Sequence, residues 1–212
     1  MPPSATVICA DSNKWLDKQK SIPNVITGIC DMDEINMTSV EKYKKFFTTI
    51  SKKIMKKLQP GCYAIFIQTD RKVNKSWLDK SYLLSKVAEE CKLKTIWHKI
   101  VLHRDVNKTD LFRPTYAHMM CFSKDGTTGA ATPDVLPVSK RLYKNGTPVL
   151  AAQTSIDFVK RYSKNNTIID PFAGMGTVPK LAVEKGLNVV AIDIDPKQCA
   201  LTKKALGITS KK

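Results

Sequence analysis

The segment TIIDPFAGMGTVP, from Thr167 to Pro179, constrains the fold of this chain more than any other. A short apolar, β-branched run is followed by a turn with two glycines and then by residues that open a helix. Gly174 and Gly176 let the backbone come close to a ligand. A helix starting directly after them aims free N–H groups and the positive end of its dipole at the same point. About fifteen residues further on, LNVVAIDID reads as the next strand and ends in Asp193, placed where a carboxylate can accept both hydroxyls of an adenosine ribose. Such a unit normally opens a parallel sheet, yet here it lies near the end of the sequence at Lys212. The strands it needs must come from upstream.

Upstream, short apolar runs alternate with amphipathic stretches. ATVICA (5–10), PNVITGIC (23–30) and CYAIFIQ (62–68) read as buried strands. TSVEKYKKFFTTISKKIMKKL (38–58) is the clearest helix: Val40, Tyr43, Phe47, Ile50, Ile54 and Leu58 share one face, and Thr38 with Glu41 forms a capping box. DSNKWLDKQ gives a polar turn and brief helix, and SWLDKSYLLSKVAEECKL (76–93) a longer one. KTIWHKIVLHR (94–104) and YAHMMCFSK (116–124) read as two strands joined by the polar loop DVNKTDLFRPT. The stretches 155–164, 178–186 and 196–206 are helical, with Asp195 capping the last of them before Pro196. Strands alternating with helices predict an α/β fold: a doubly wound, mostly parallel sheet of seven strands with an antiparallel hairpin at one edge.

The chain of 212 residues, 42% of them hydrophobic, suits a single domain with a full core. It has no apolar run approaching the roughly 18 residues of a membrane span, and its N-terminus lacks the pattern of a secretory signal. The six cysteines are well separated with no C-x-x-C pair, so no metal site is expected, and a reducing cytoplasmic or nuclear compartment is. A formal charge of +16, from 35 Lys+Arg against 19 Asp+Glu, points to a polyanionic partner.

DPFAGMGT followed by AIDID resembles the S-adenosylmethionine-binding half of Rossmann-like methyltransferases. It is especially similar to the permuted β-type DNA/RNA amino-methyltransferases, which carry DPF-x-G-x-G-T near the C-terminus. ADSNKWL resembles their opening GD-x-x-x-WL, NVITGICD holds the place of their catalytic strand, LQPGCYAIF resembles their L-K-P-G-G turn and strand, and RPTYAHMMCFS their late hairpin strand. The resemblance implies a circularly permuted domain. Residues 5–135 would form a catalytic and substrate half, 136–206 a cofactor half, and 207–212 a basic tail. It implies S-adenosyl-L-methionine as cofactor, with Asp170, Pro171, Phe172, Gly174, Gly176 and Thr177 at the methionine and sulfonium end. Asp193 would take the ribose, Asp11 would lie near the adenine, and Gly28 would border the cofactor. The turn lacks the third glycine of the dinucleotide pattern and the Gly-Lys-Ser/Thr of a P-loop.

The catalytic strand departs from the resembled pattern. Amino-methyltransferases carry Asp/Asn/Ser-Pro-Pro-aromatic there, to hold an amine and stack on a flipped base. Here Gly28, Ile29, Cys30 and Asp31 take the four places, or Asp31 slides into the first; neither register supplies two prolines and a ring. Three acids remain as catalytic candidates, Asp31, Asp33 and Glu34, which could take a proton, orient a nucleophile or simply solvate the loop. The late hairpin offers His98, Lys99, Arg104, Arg113, Tyr116 and His118 toward a substrate, with Trp97 and Phe112 as stacking or core residues. The reading is a methyltransferase acting on nucleic acid, at a base or a ribose. RNA (tRNA, rRNA or snRNA) is preferred over DNA, because the chain leaves no room for a separate target-recognition domain. The alternatives are a catalytically silent RNA-binding or partner subunit, and a DNA adenine or cytosine amino-methyltransferase.

Overall fold

A computed structural model describes residues 2–208 of the chain; the expected basic tail lies outside the described residues from position 209 onward. The described residues form ten strands and six helices: β1 (Ala5–Cys9), α1 (Ser12–Lys18), β2 (Asn24–Thr27), α2 (Val40–Lys57), β3 (Ala64–Gln68), β4 (Arg71–Val73), β5 (Ser76–Leu78), α3 (Lys80–Glu90), β6 (Lys94–Leu102), β7 (Tyr116–Ser123), β8 (Val135–Leu136), α4 (Val149–Tyr162), β9 (Thr167–Asp170), α5 (Thr177–Glu184), β10 (Asn188–Asp193) and α6 (Pro196–Ala205).

Eight strands make one sheet in the order β1-β10-β9-β2-β3-β7-β6-β8. From β1 to β3 all neighbours run parallel, so these five strands present their carboxyl ends at one end of the sheet. β7 lies antiparallel to both β3 and β6 and supplies the expected hairpin. The first strand of the chain docks beside the last, with Cys9 opposite Asp193. That pairing is the physical form of the permutation: neighbours in the sheet are kept while the chain is cut elsewhere.

Two apolar layers cover the sheet. On one face α2 and α3 bury Tyr43, Phe47, Ile50, Ile54 and Leu84 against Val25, Phe66 and Phe122. On the other, α4 and α5 pack Ala152, Ile156, Val159, Val178 and Ala182 onto Ile26, Ile65, Cys121, Ile168 and Ala191. The central strands β2 and β3 are buried at every position, as continuous apolar runs require in a parallel sheet covered on both sides.

Several local expectations need correction. β1 is half-exposed rather than buried, because it is an edge. The cap of α2 is Ser39, whose hydroxyl accepts from the Lys42 N–H, so the cap falls one residue later than Thr38. The segment 76–93 is not one helix: Ser76–Leu78 turns back on Arg71–Val73 as a separate two-stranded hairpin, and α3 begins after its cap Asp79. Asn74 and Lys75 at the hairpin tip both take positive φ (50° and 58°), the conformation a two-residue turn of this hand demands. A two-residue strand, β8, adds an eighth member beyond β6.

Candidate active site

The sheet reverses its winding between β9 and β2. From β9 the chain passes through α5 to β10 on one side; from β2 it passes through α2 to β3 on the other. The loops that leave these two strands diverge and open a crevice at their carboxyl ends, the usual binding position in a doubly wound sheet. One loop is the glycine turn 171–176; the other is 28–34.

The glycine turn is held from three sides. Asp170, at the end of β9, accepts from the Thr27 hydroxyl of β2 (2.8 Å) and from the Phe172 N–H (3.2 Å). Ser12 donates to the Pro171 carbonyl, and Thr202 of α6 donates to Gly174 O at 2.8 Å. Asp193 grips the turn with one oxygen on the Gly174 N–H (2.8 Å) and caps its own loop with the other on the Asp195 N–H (2.9 Å). Gly174 and Gly176 have φ of 53° and 85°, in the left-handed region. A Cβ on Gly176 would press into Thr202 at 2.9 Å, whereas one on Gly174 would meet nothing within 4 Å. Gly174 therefore faces open space. Gly176 is also the N-cap of α5 and has no side chain to satisfy the first N–H groups, while Thr177 is buried in the first turn.

Asp170 is buried. Burial pushes its carboxyl up to about 7, against the hydrogen bonds from Thr27 and the Phe172 N–H that favour the ionised form. Asp11 stands after β1 at the same end of the sheet and caps α1, accepting from the N–H groups of Asn13 (2.7 Å) and Lys14 (3.2 Å). Asp195 caps α6 with Pro196 in the first turn, as expected.

The facing loop begins with Gly28, where a Cβ would stand 3.0 Å from the Ile67 carbonyl of β3; the close approach leaves little room for a side chain. With its amide oriented so that the nitrogen meets the Ile29 carbonyl (3.3 Å), Gln68 pairs with Ile29, donating to its carbonyl and accepting from its N–H. The Tyr43 hydroxyl donates to Cys30 O at 3.0 Å. Ile29 and Met32 are buried in the same apolar cluster on which Phe172 packs, which brings the two loops together over one wall.

Asp31 is the centre of a charged network. Its carboxylate meets Arg113 (3.0 Å), Lys80 (3.1 Å) and Arg71 (3.2 Å), and its side chain is 11% exposed. Burial pushes its pKa up, but Lys80, the Met32 N–H and Arg113 outweigh it and hold the carboxyl below its ordinary range. Asp33 is exposed and bonds Arg71 at 2.6 Å. Glu34 accepts from the Asp31 N–H at 2.7 Å and closes the loop on itself. Lys80 is almost wholly buried, with its ammonium over the Tyr43 ring.

The hairpin residues divide by face. His118 and His98 lie on the α2–α3 side and form a relay: Asp70 accepts from His118 Nε2 (3.1 Å), and His118 Nδ1 lies 2.8 Å from His98 Nε2. Burial raises Asp70, yet bonds from His118, the Trp77 indole and the Lys80 N–H prevail and keep it low. Tyr116 stacks edge-on against His118 at 5.3 Å. Arg104 pairs with Asp110 at 3.1 Å, and Arg113 reaches Asp31. Lys99 is on the opposite face, buried, with its ammonium donating to the carbonyls of Thr132 and Pro133 and to Asp134; it is kept from the crevice. Trp97 packs on Phe158 on that face and is core, while Phe112 is 62% exposed. On α2, Lys44 pairs with Glu41 one turn before it, while Lys52 with Glu90 and Lys53 with Asp17 tie the helix to α3 and α1.

Three residues of the site escape the sequence reading. Arg71 and Lys80 lie in stretches read as loop and helix, and neither spacing nor motif links them to Asp31. Arg141 donates to the Gly146 carbonyl and to His103 Nδ1 (2.8 Å) from a segment with no periodicity at all.

No protein-family model matches the chain, and no curated protein matches it in sequence. Solved structures do match in shape. PvuII DNA methyltransferase (cytosine-N4-specific) superposes with a TM-score of 0.74 at 14% identity, over 97% of this chain and 87% of that one. TTHA0409 from Thermus thermophilus, a candidate DNA modification methylase complexed with S-adenosyl-L-methionine, gives 0.71 at 13% identity over 98% and 97%. M1.HpyAVI, also solved with that cofactor, gives 0.65 at 13% identity over 95% and 98%. The chain has the Rossmann-like methyltransferase fold in its permuted order.

Proposed function

We propose that this protein is an S-adenosylmethionine-dependent methyltransferase that acts on DNA, with the crevice between β9 and β2 as its active site. One observation carries the reading: the two-glycine turn stands at the reversal of the sheet, gripped by Asp193 and opposite the 28–34 loop. The residues fit the cofactor. Gly174 leaves open space where a side chain would stand, the start of α5 is uncapped, and Asp193 ends β10 while Asp11 follows the neighbouring β1. Asp193 would take the ribose hydroxyls, Asp11 would flank the adenine, and Asp170, Phe172 and Thr177 would line the methionine end. When bound, the cofactor supplies an electrophilic methyl group.

The chain's own task is then to orient a nucleophile and exclude water. Ile29, Met32 and Phe172 provide the apolar wall. Asp31 is a weak base, since a carboxylate held ionised by three cations gains little by taking a proton. Its role in this reading is to hold Arg71 and Arg113 at the mouth of the crevice, where a phosphate backbone would enter, with the buried Lys80 as its inner counter-charge. With Gly28 in the first place of the catalytic pattern, an amine would rely on main-chain carbonyls, and those of Ile29 and Cys30 already accept from Gln68 and Tyr43.

DNA replaces RNA as the preferred substrate. The case for RNA is that a chain of this length leaves no room to recognise a duplex. The PvuII enzyme, cytosine-specific on DNA, is matched over 87% of its own chain, so little further polypeptide is needed. Incubation with labelled S-adenosylmethionine and separate pools of DNA and RNA, followed by nucleoside mass spectrometry, tests the reading. A methylated DNA base is expected. Label confined to RNA would return the substrate to the sequence-based expectation, and absence of cofactor binding would favour a silent scaffold.

A further inference from the structure

The rim of the crevice gathers three guanidinium groups that come from different parts of the chain. His103, just past β6, donates its main-chain N–H to Thr115 O at 2.7 Å, which pins the two ends of the 103–115 loop together. Arg104 and Arg113 flank that pin. Arg141 arrives from the 139–148 segment and donates to His103 Nδ1. Because a guanidinium can only donate, Nδ1 accepts and the ring proton sits on Nε2, 2.7 Å from the Thr69 hydroxyl at the end of β3.

Placement links this cluster to both loops of the crevice. Arg113 contacts Asp31 of the 28–34 loop. Arg141 also donates to the carbonyl of Gly146, whose backbone is so close to Thr177 of the cofactor turn that a Cβ there would lie 3.0 Å from its hydroxyl. The 103–115 loop is braced from below, where the Lys72 N–H and ammonium donate to Phe112 O (2.8 Å) and Asp110 O (2.9 Å).

The charges in this cluster are not balanced. Arg104 has Asp110, and Arg113 has Asp31 with Asp33 at 3.7 Å. Among the described residues Arg141 has no carboxylate partner. Burial, and then Arg113 and Arg104, act to lower its pKa; burial and the same arginines with Arg141 push His103 down to about 4, so the imidazole is neutral and adds no acid to the cluster. Guanidinium groups gathered with one of them unpaired, at the edge of a crevice, form a receptor for an oxyanion, which their planar forks bind bidentately.

We propose that Arg104, Arg113 and Arg141 form a phosphate site that takes a backbone phosphate of the DNA substrate and sets the distance from that phosphate to the methyl-transfer crevice. The proposal rests on the reading of the crevice as a DNA methyltransferase site. The neighbouring Leu111 (83% exposed) and Phe112 stand on the same loop, as apolar tips beside the captured backbone.

The test is fluorescence anisotropy of the full chain with a short labelled duplex, across a salt series. Arg141→Ala and Arg104→Ala are each expected to weaken binding about tenfold at low salt and to lower the slope of log K against log salt by about 0.9. Arg141→Lys is expected to keep the slope, because the charge remains. Arg104 is partly exposed and, among the described residues, pairs with Asp110 alone, so Arg104→Ala keeps the proposal testable if Arg141→Ala fails to fold. Unchanged slopes in both alanine variants overturn the site, as does tighter binding of an RNA hairpin than of the duplex. If the slopes fall but the wild type methylates no DNA, the phosphate site stands and the methyl-transfer reading fails. If DNA is methylated and the slopes do not move, the reverse holds.

Discussion

The Thr27 hydroxyl donates to Asp170 Oδ1 at 2.8 Å, across the two strands between which the sheet reverses direction. This bond joins the last residue of β2 to the last residue before the glycine turn, and both partners are buried. Without Asp170 the buried Thr27 hydroxyl loses its acceptor, and without Thr27 the carboxylate oxygen keeps only the Phe172 N–H. Together they hold the origins of both loops in register.

Asp170 should leave a signature in the pH dependence of stability. Its folded pKa of about 7 lies above its ordinary value of 3.8, so the folded state binds the proton more tightly than the unfolded chain. Its contribution is therefore fully present below about 4 and is lost as pH rises toward 7, by about 1.4 kcal/mol per unit within that window. Asp170→Asn keeps the shape and an acceptor for Thr27 but removes the titration. Urea denaturation between pH 4 and 8 is expected to show a flatter profile for the variant, which gains on the wild type as pH rises. Parallel profiles would mean that Asp170 is ionised throughout.

Asp31→Asn separates its two candidate roles. Removing the charge leaves Lys80, almost wholly buried, without its anion while Arg71 keeps Asp33, and breaking a buried pair costs about 3 kcal/mol or more. A loss of that order is expected in chemical denaturation. Replacing Lys80 by Met as well should recover part of it, since the stranded cation is then gone. If Asp31 instead served as the base, the acidic limb of the transfer rate would vanish in the single variant; the pairing role leaves the shape of that limb unchanged.

The two glycines of the turn should respond differently to the same substitution. Both occupy positive φ, where a Cβ costs about 1 kcal/mol. Gly176→Ala adds a collision with Thr202 at 2.9 Å and is expected to destabilise by about 2–3 kcal/mol in thermal or urea melts. Gly174→Ala has nothing to collide with inside the protein. It is expected to melt within about 1 kcal/mol of wild type while losing cofactor affinity, because the added methyl projects into the space that the turn keeps open.

The division between what is legible in the sequence and what is not follows from how far each signal reaches along the chain. The strand, the glycine turn and the helix of 167–184 are contiguous, so local chemistry specifies them, and Asp193 follows at the distance one helix and strand require. The hydrophobic stripe from Tyr43 to Leu58 places α2 to within two residues. The β4–β5 hairpin is hidden because its tip is Asn74-Lys75 rather than Asn-Gly, the pair that most easily adopts positive φ. The network around Asp31 is hidden for a different reason. Arg71, Lys80 and Arg113 are 40, 49 and 82 positions away from it, and only the packing of β3, α3 and the 103–115 loop brings them together. Lys99 reads as a substrate-side residue because alternation along β6 gives two faces without saying which one meets the crevice; its register opposite Met119 puts it on the far one.

The central claim is that S-adenosylmethionine lies across the turn at 171–176 with its sugar on Asp193. Isothermal titration calorimetry of the cofactor against the wild type and Asp193→Ala addresses it directly. Two hydrogen bonds to a charged acceptor are together worth enough that the variant is expected to bind at least about 30-fold more weakly. Saturable binding by the wild type with that loss in the variant is the result this structure calls for. Equal affinity in both proteins, or no binding by the wild type, would contradict it.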